Sequence, residues 1–130
     1  MSNILPRATL VRIINKLQRE LKFTEIALGN TALIPQNGTL KGKRIFVYPP
    51  EEKIETWVKV ASTECRCQNT LIVMLLPSKT SSRWFQDYIC SKPGIIVRFI
   101  DGDALPNNEH YLITIFSNAR RKFIAESWIL

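Results

Sequence analysis

Long apolar runs are missing from this sequence: none approaches the ~18 residues of a bilayer-spanning helix, and the longest, Leu71 to Leu76, is strand-sized. No membrane association is therefore expected. Residues 1–6 hold no basic stretch leading into a long apolar one, so a secretion signal is not expected and an intracellular, cytoplasmic location is. Cysteine is scarce and odd in number, three in all, which argues against a disulfide framework and agrees with a reducing compartment. Histidine is reduced to His110, with no cysteine or serine nucleophile in a recognisable setting beside it. There is no Gly-x-Gly-x-x-Gly run to cradle a dinucleotide. Acidic residues are few as well, 11 against 18 Lys and Arg, which leaves a formal charge of +7.

What is present fits one soluble domain. The chain of 130 residues, 45% hydrophobic and 22% charged, has room for a single modest core, so residues 1–130 are expected to form one domain with a basic C-terminal tail over 118–130. Leu10, Ile13, Ile14, Leu17 and Leu21 recur at helical spacing and predict an amphipathic helix from Pro6 to Lys22. Short strands are expected at Phe23 to Leu28, closed by Gly29-Asn30, and at Arg44 to Tyr48, stopped by Pro49-Pro50; Pro35 and Asn37-Gly38 mark turns between them. The acids Glu51, Glu52 and Glu55 crowd the first turn of a second helix, with Ile54, Trp57, Val58 and Ala61 as its buried stripe. Thr70 to Leu76 is apolar on both faces, as a central strand must be. A third helix carries Trp84, Phe85, Tyr88 and Ile89 after the N-capping serines of 78–82. Strands then follow at Ile95 to Ile100 and Tyr111 to Phe116, joined through the turn residues Asp101-Gly102-Asp103 and Pro106-Asn107-Asn108.

This alternation predicts an α/β fold with a mostly parallel sheet and a C-terminal antiparallel hairpin, the strand order of a Rossmann-like methyltransferase. In such sheets ligands bind beyond the carboxyl ends of the strands. That rule directs attention to Tyr48-Pro49-Pro50-Glu51, to 77–81 and to 101–103. The positive charge is unevenly spread along the chain: residues 1–46 hold eight basic and two acidic side chains, 47–117 seven and eight, and 118–130 three and one. Such an excess fits either a polyanionic partner or a merely solvated surface.

Other constellations carry less. Cys65-x-Cys67 with Cys90 and His110 is a poor match to zinc spacing, so no metal is expected. Asp-Gly-Asp at 101–103 reads first as a turn. Trp57, Trp84, Phe85 and Tyr88 read as core packing, Tyr48 faces the ligand end, and Trp128 is left unplaced by the periodicity.

The stretch Val73-Met74-Leu75-Leu76-Pro77, then Thr80-Ser81 and Trp84-Phe85-Gln86-Asp87-Tyr88-Ile89, then Ile95 to Gly102, resembles the C-terminal half of the phage-type DNA N6-adenine methyltransferases, the Dam-like family. The resemblance extends from about Leu5 to Phe116 and is strong from Val73 to Gly102. It implies a trimmed Rossmann-like methyltransferase fold. The family carries Asn-Pro-Pro-Tyr before the helix that here begins at Glu51, and the matching residues read Tyr48-Pro49-Pro50-Glu51. In the family the asparagine accepts from the adenine amino group, and the aromatic residue stacks on a base flipped out of the duplex. Tyr48 cannot reproduce a short amide acceptor, and Glu51 has no π face.

The S-adenosylmethionine pocket is altered too. Phe23-Thr24-Glu25-Ile26-Ala27 resembles the family segment ending in aspartate-valine-alanine, with Glu25 in the place of the ribose acid, yet only 22 residues separate it from Tyr48. Changes at both sites imply a catalytically inactive, methyltransferase-like protein of a virus or mobile element, acting in the host cell if viral. It would bind nucleic acid or a protein partner and need no cofactor. Arg12, Lys16, Arg19, Lys41, Lys43, Arg44, Arg120, Arg121 and Lys122 are the expected phosphate contacts. Two alternatives stand beside this. One is an active S-adenosylmethionine-dependent adenine N6-methyltransferase using Tyr48, Pro49 and Pro50 around the base and Glu25 near the cofactor. The other is a homodimeric interaction protein built on an exposed sheet edge.

Overall fold

The computed structural model describes residues 5–28, 40–101, 105 and 110–130. The turn signals at Gly29-Asn30, Pro35, Asn37-Gly38 and Pro106-Asn107-Asn108, together with Gly102 and Asp103, lie outside the described residues. The first helix, α1 (Arg7–Leu21), follows Pro6 directly and buries Ile13 and Leu17 from its apolar stripe. It stops at Lys22, which adopts a left-handed φ of 52° and donates its N–H to the Gln18 carbonyl. Two of the carbonyls left open by that ending are taken by Arg44, whose Nε donates to Lys22 at 3.1 Å and whose Nη2 donates to Leu21.

Strands β1 (Glu25–Leu28), β2 (Arg44–Tyr48) and β3 (Leu71–Pro77) pair in parallel. A 3-10 turn at Glu51–Lys53 and the helix α2 (Ile54–Glu64) form the crossover from β2 to β3, and α3 (Arg83–Tyr88) leads from β3 to β4 (Ile96–Ile100). Ser82 takes the N-cap position of α3, but its hydroxyl turns back to the Lys79 carbonyl at 2.6 Å instead of capping the helix. Strand β5 (Tyr111–Ser117) runs antiparallel between β3 and β4, so the sheet order from the first strand is β1-β2-β3-β5-β4. The expected mostly parallel sheet with its C-terminal antiparallel hairpin is what the chain forms.

One strand was not expected. Of the stretch 118–130 read as a tail, residues Ile124–Trp128 form β6, parallel to β4 at the sheet's far edge. Four of its five residues are exposed and only Trp128 is buried, so the stretch carries none of the apolar alternation that marks a half-buried strand. Its ladder with β4 and the buried Trp128 are joined by an ionic tie. Arg98 on β4 donates through Nε to Glu126 on β6 at 3.0 Å and through Nη1 to Glu20 on α1 at 2.9 Å, with the guanidinium largely buried. Lys16 lies 4.8 Å above the Trp128 ring, a second tie between α1 and β6.

Alternate residues of β3 feed two cores. Leu71, Val73 and Leu75 face α1 together with Phe46, Ile113 and Ile115. Ile72, Met74 and Leu76 face α2 and α3 together with Trp57, Val58, Phe85 and Ile89. Within the second core, Trp57 Nε1 and Thr114 Oγ1 are buried without a hydrogen-bond partner among the described residues. A buried hydroxyl with no partner costs more than an apolar group of the same shape. Thr114→Val should therefore raise unfolding stability by about 1 kcal/mol, read as a higher denaturant midpoint at unchanged slope.

Hydrogen bonding from Arg98 holds the Glu20 carboxyl below its ordinary value of 4.5. A carboxyl lowered on folding stabilises above its unfolded pKa and loses that contribution as pH falls through the folded value. Arg98→Met should cost about 1–2 kcal/mol at neutral pH and flatten the loss of stability below about pH 4.5 in acid titrations of thermal unfolding.

Candidate functional site

Strands β1, β2 and β3 end, and β5 begins, along one rim of the sheet, where an open α/β fold places its ligand. The four residues Tyr48-Pro49-Pro50-Glu51 leave β2 at that rim. Tyr48 turns toward the α1 side, half-buried, with its ring edge-on to Tyr111 at 6.3 Å between centroids. Its hydroxyl accepts the Leu5 N–H at 3.3 Å and lies 3.4 Å from the Tyr111 hydroxyl. A phenol has one proton and two acceptor sites, and these partners leave it little capacity for a base. Pro49 is buried and Pro50 half-buried. Glu51 pairs with Lys79 from the segment after β3, and that hydrogen bond lowers its carboxyl below the usual value. Ser78 is tied to the same rim by its N–H to the His110 carbonyl at 2.9 Å. Asp101 follows β4 at this end, exposed.

Glu25 lies elsewhere. It opens β1, opposite Ile45, whereas Leu28 is the residue level with Tyr48. At ~3.3 Å per residue that is about 10 Å from the ligand rim. Its carboxylate meets Lys43 at 3.5 Å, on the amino side of the sheet. The described residues thus place no acid at the carboxyl end of β1 for a cofactor ribose. In this respect they do not fit S-adenosylmethionine.

The nine basic candidates divide into three groups. Arg12, Lys16 and Arg19 are exposed on α1, with Lys16 held over Trp128. Arg44 spends its guanidinium on the end of α1, and Lys43 is paired with Glu25, so neither presents a bare cation. Lys41, Arg120, Arg121 and Lys122 are exposed at the opposite rim from Tyr48, where β2 begins and β5 ends.

That amino-terminal rim also holds a cavity of about 470 Å³ between the ends of α2 and α3 and the connection from β5 to β6. Arg66, Asp87, Lys92 and Asn118 are among its lining residues. Gly94 makes this wall possible. Its φ of 84° is left-handed, and a Cβ there would stand 3.0 Å from the Ala119 carbonyl oxygen and 3.1 Å from that of Ser117. Burial raises the pKa of the Cys65 thiol in the same wall. No group of three or more His, Cys, Asp or Glu side chains among the described residues could hold a metal ion.

Arg66 and Lys92 are the residues that sequence reasoning passed over. Both fall in the segment 47–117, where seven bases against eight acids average to nothing. The signal was present as position: each follows a helix, whereas Glu51 and Glu52 precede one.

The family model of DNA N-6-adenine-methyltransferase (Dam) matches residues 30–127. The match includes Tyr48-Pro49-Pro50-Glu51 and β6 as far as Ser127 and leaves out α1 and Glu25, so its bounds differ from the 5–116 expected from sequence. No match is found among curated proteins.

Tyr48→Phe should lower unfolding stability by about 1 kcal/mol, because the buried Leu5 N–H loses its acceptor. Tyr48→Asn, the family residue, should cost about 2–3 kcal/mol, since the Tyr111 contact goes too. Denaturant unfolding of the two variants measures both.

Proposed function

The chain belongs to the DNA N-6-adenine-methyltransferase (Dam) family, and from that footing we propose that it is a catalytically inactive, methyltransferase-like protein of a virus or mobile element whose task is to bind nucleic acid. The observation that carries the first half is Tyr48. It occupies the place where the family asparagine would accept from the adenine amino group, and its hydroxyl is committed to Leu5 and Tyr111 instead. Tyrosine hydroxyl chemistry does not substitute for a carboxamide acceptor here, because the oxygen lies at the end of a ring directed into the α1 core. The position of the family's stacking residue is Glu51, paired with Lys79, and a carboxylate repels the phosphates around a flipped base.

The second half rests on charge. A net +7 on 130 residues attracts polyanions, and much of the basic surface lies away from the Tyr48 rim. A binding role for these side chains requires nothing of the methyl-transfer rim. No described helix is long and apolar enough to cross a membrane.

Calorimetry with S-adenosylmethionine at millimolar concentration should give no heat of binding, and incubation with adenine-containing DNA should transfer no methyl group. Binding to DNA at low salt should weaken steeply as salt rises, with log K falling by about 0.9 per neutralised phosphate. Cofactor heat together with methyl transfer would establish the enzymatic alternative using Tyr48, Pro49 and Pro50. Absence of DNA binding at low salt would remove the nucleic-acid reading.

A further inference from the structure

The helices give the molecule a charge axis that the linear sequence conceals. All three end at the amino-terminal rim of the sheet: α1 runs down to meet Arg44, while α2 and α3 return the chain from the carboxyl rim. Helix ends favour cations at the C-terminus and anions at the N-terminus, so Arg66 after α2 and Glu51 and Glu52 before it are placed as the dipole prefers. The dipole does not account for the whole polarity. Segments 22–25, 40–44, 64–70, 87–95 and 117–123 at the amino rim carry nine basic and three acidic side chains. Among the described residues of the other rim, 5–7, 48–53, 77–83, 101 and 110 carry four and three. Three helix ends contribute roughly half a negative charge each, about −1.5 in all, which leaves the amino rim strongly positive.

The three acids on that rim offset a third of its nine positive charges. Glu25 faces Lys43, and Glu64 is buried, accepting the Leu40 N–H at 2.8 Å. Asp87 is the one that lines the cavity, alongside Arg66 and Lys92. None of Arg66, Lys92, Arg120 and Arg121 has an ion-pair partner among the described residues. The cations also form a row. From Lys41 at the start of β2 to Arg121 before β6 the sheet order crosses four strand spacings, ~19 Å at ~4.8 Å each. A single small anion cannot engage a row of that length. At ~3.4 Å of rise per nucleotide it matches five or six nucleotides of one strand.

We propose that this chain holds a nucleic-acid backbone across its amino-terminal rim, with Arg66 and Lys92 in the cavity and Arg120 and Arg121 on its edge, at the opposite end of the sheet from the rim where Tyr48, Pro49 and Pro50 lie. The site deepens the nucleic-acid reading above and rests on it. It also replaces part of the contact set expected from sequence, because Arg44 and Lys43 are committed within the fold. Gly94 is a positioning residue here: it allows the 117–123 connection to lie against 93–95, with Gly94 N–H donating to the Arg121 carbonyl at 2.8 Å, so the edge arginines are held beside the cavity.

The test is fluorescence anisotropy with a short labelled DNA duplex across a salt series, using the full chain and three paired variants whose thermal midpoints are checked first. R66E/K92E and R120E/R121E should each weaken binding at low salt by tenfold or more and reduce the salt slope by about 2. R7E/R83E, at the opposite rim, should change affinity less than threefold. If that pair weakens binding and the amino-rim pairs do not, the site is at the Tyr48 rim and this proposal fails while the nucleic-acid function stands. If the unaltered chain does not bind DNA at low salt, the function fails with it. Polyglutamate of matched charge should displace the duplex poorly; displacement at equal charge concentration would overturn the assignment of a nucleic acid in favour of an acidic protein.

Discussion

Burial of β3 on both faces is the constraint on which the rest of this structure depends. Six consecutive residues, Leu71 to Leu76, are all buried, and the pleat sends them alternately to two sides. Apolar side chains on both faces cannot be covered by one layer of helix, so α1 must lie on one side and α2 with α3 on the other. Parallel neighbours such as β2 need a crossover, and α2 supplies both the crossover and the cover. Strand β5 satisfies the other edge of β3 across seven paired positions, from Leu71 opposite Ser117 to Pro77 opposite Tyr111. The two rims of the sheet, and the separation of the Tyr48 segment from the basic segments between them, are consequences of this arrangement.

At the carboxyl rim the residues at the family motif's position are engaged in contacts within the chain. Pro49 is buried, Tyr48 holds the segment before α1 to β5, and Glu51 is satisfied by Lys79. At the amino rim the opposite holds: Arg66, Lys92, Arg120 and Arg121 face solvent with no ion-pair partner among the described residues. Polar groups satisfied within a fold stabilise it, whereas unpaired surface cations add little to stability and much to the external field.

Much of the fold was legible in the sequence. The stripe Ile13 and Leu17 marked α1, the stripe Ile54, Trp57, Val58 and Ala61 marked α2, and the apolar run at 71–76 marked the central strand, all through periodicity of burial. Strand β6 was not legible, because Ile124 to Ser127 are exposed and it is held by pairing with β4, by the buried Trp128 and by Arg98, 28 residues from Glu126 and 78 from Glu20. Of the candidate site, Tyr48 could be picked out as the departure from the family motif. That its hydroxyl meets Leu5, 43 residues away, could not. Glu25 was placed by likeness of its flanking residues, and register put it at the wrong end of β1 for a ribose.

The sequence by itself determined the element order from α1 to β5, the two-faced central strand, the family and the size of the charge excess, since periodicity, motif and composition are local or additive properties. Tertiary structure alone decided where the charge lies. Bases at 41, 66, 92 and 120–122 are scattered along the chain, and acids at 51, 52 and 55 cancel some of them in any linear count. Folding sorts them, because helices that return antiparallel to the strands carry the side chains at their N-terminal ends to one rim and those at their C-terminal ends to the other. Coulomb interaction depends on distance in space, and sequence separation fixes that only within an element.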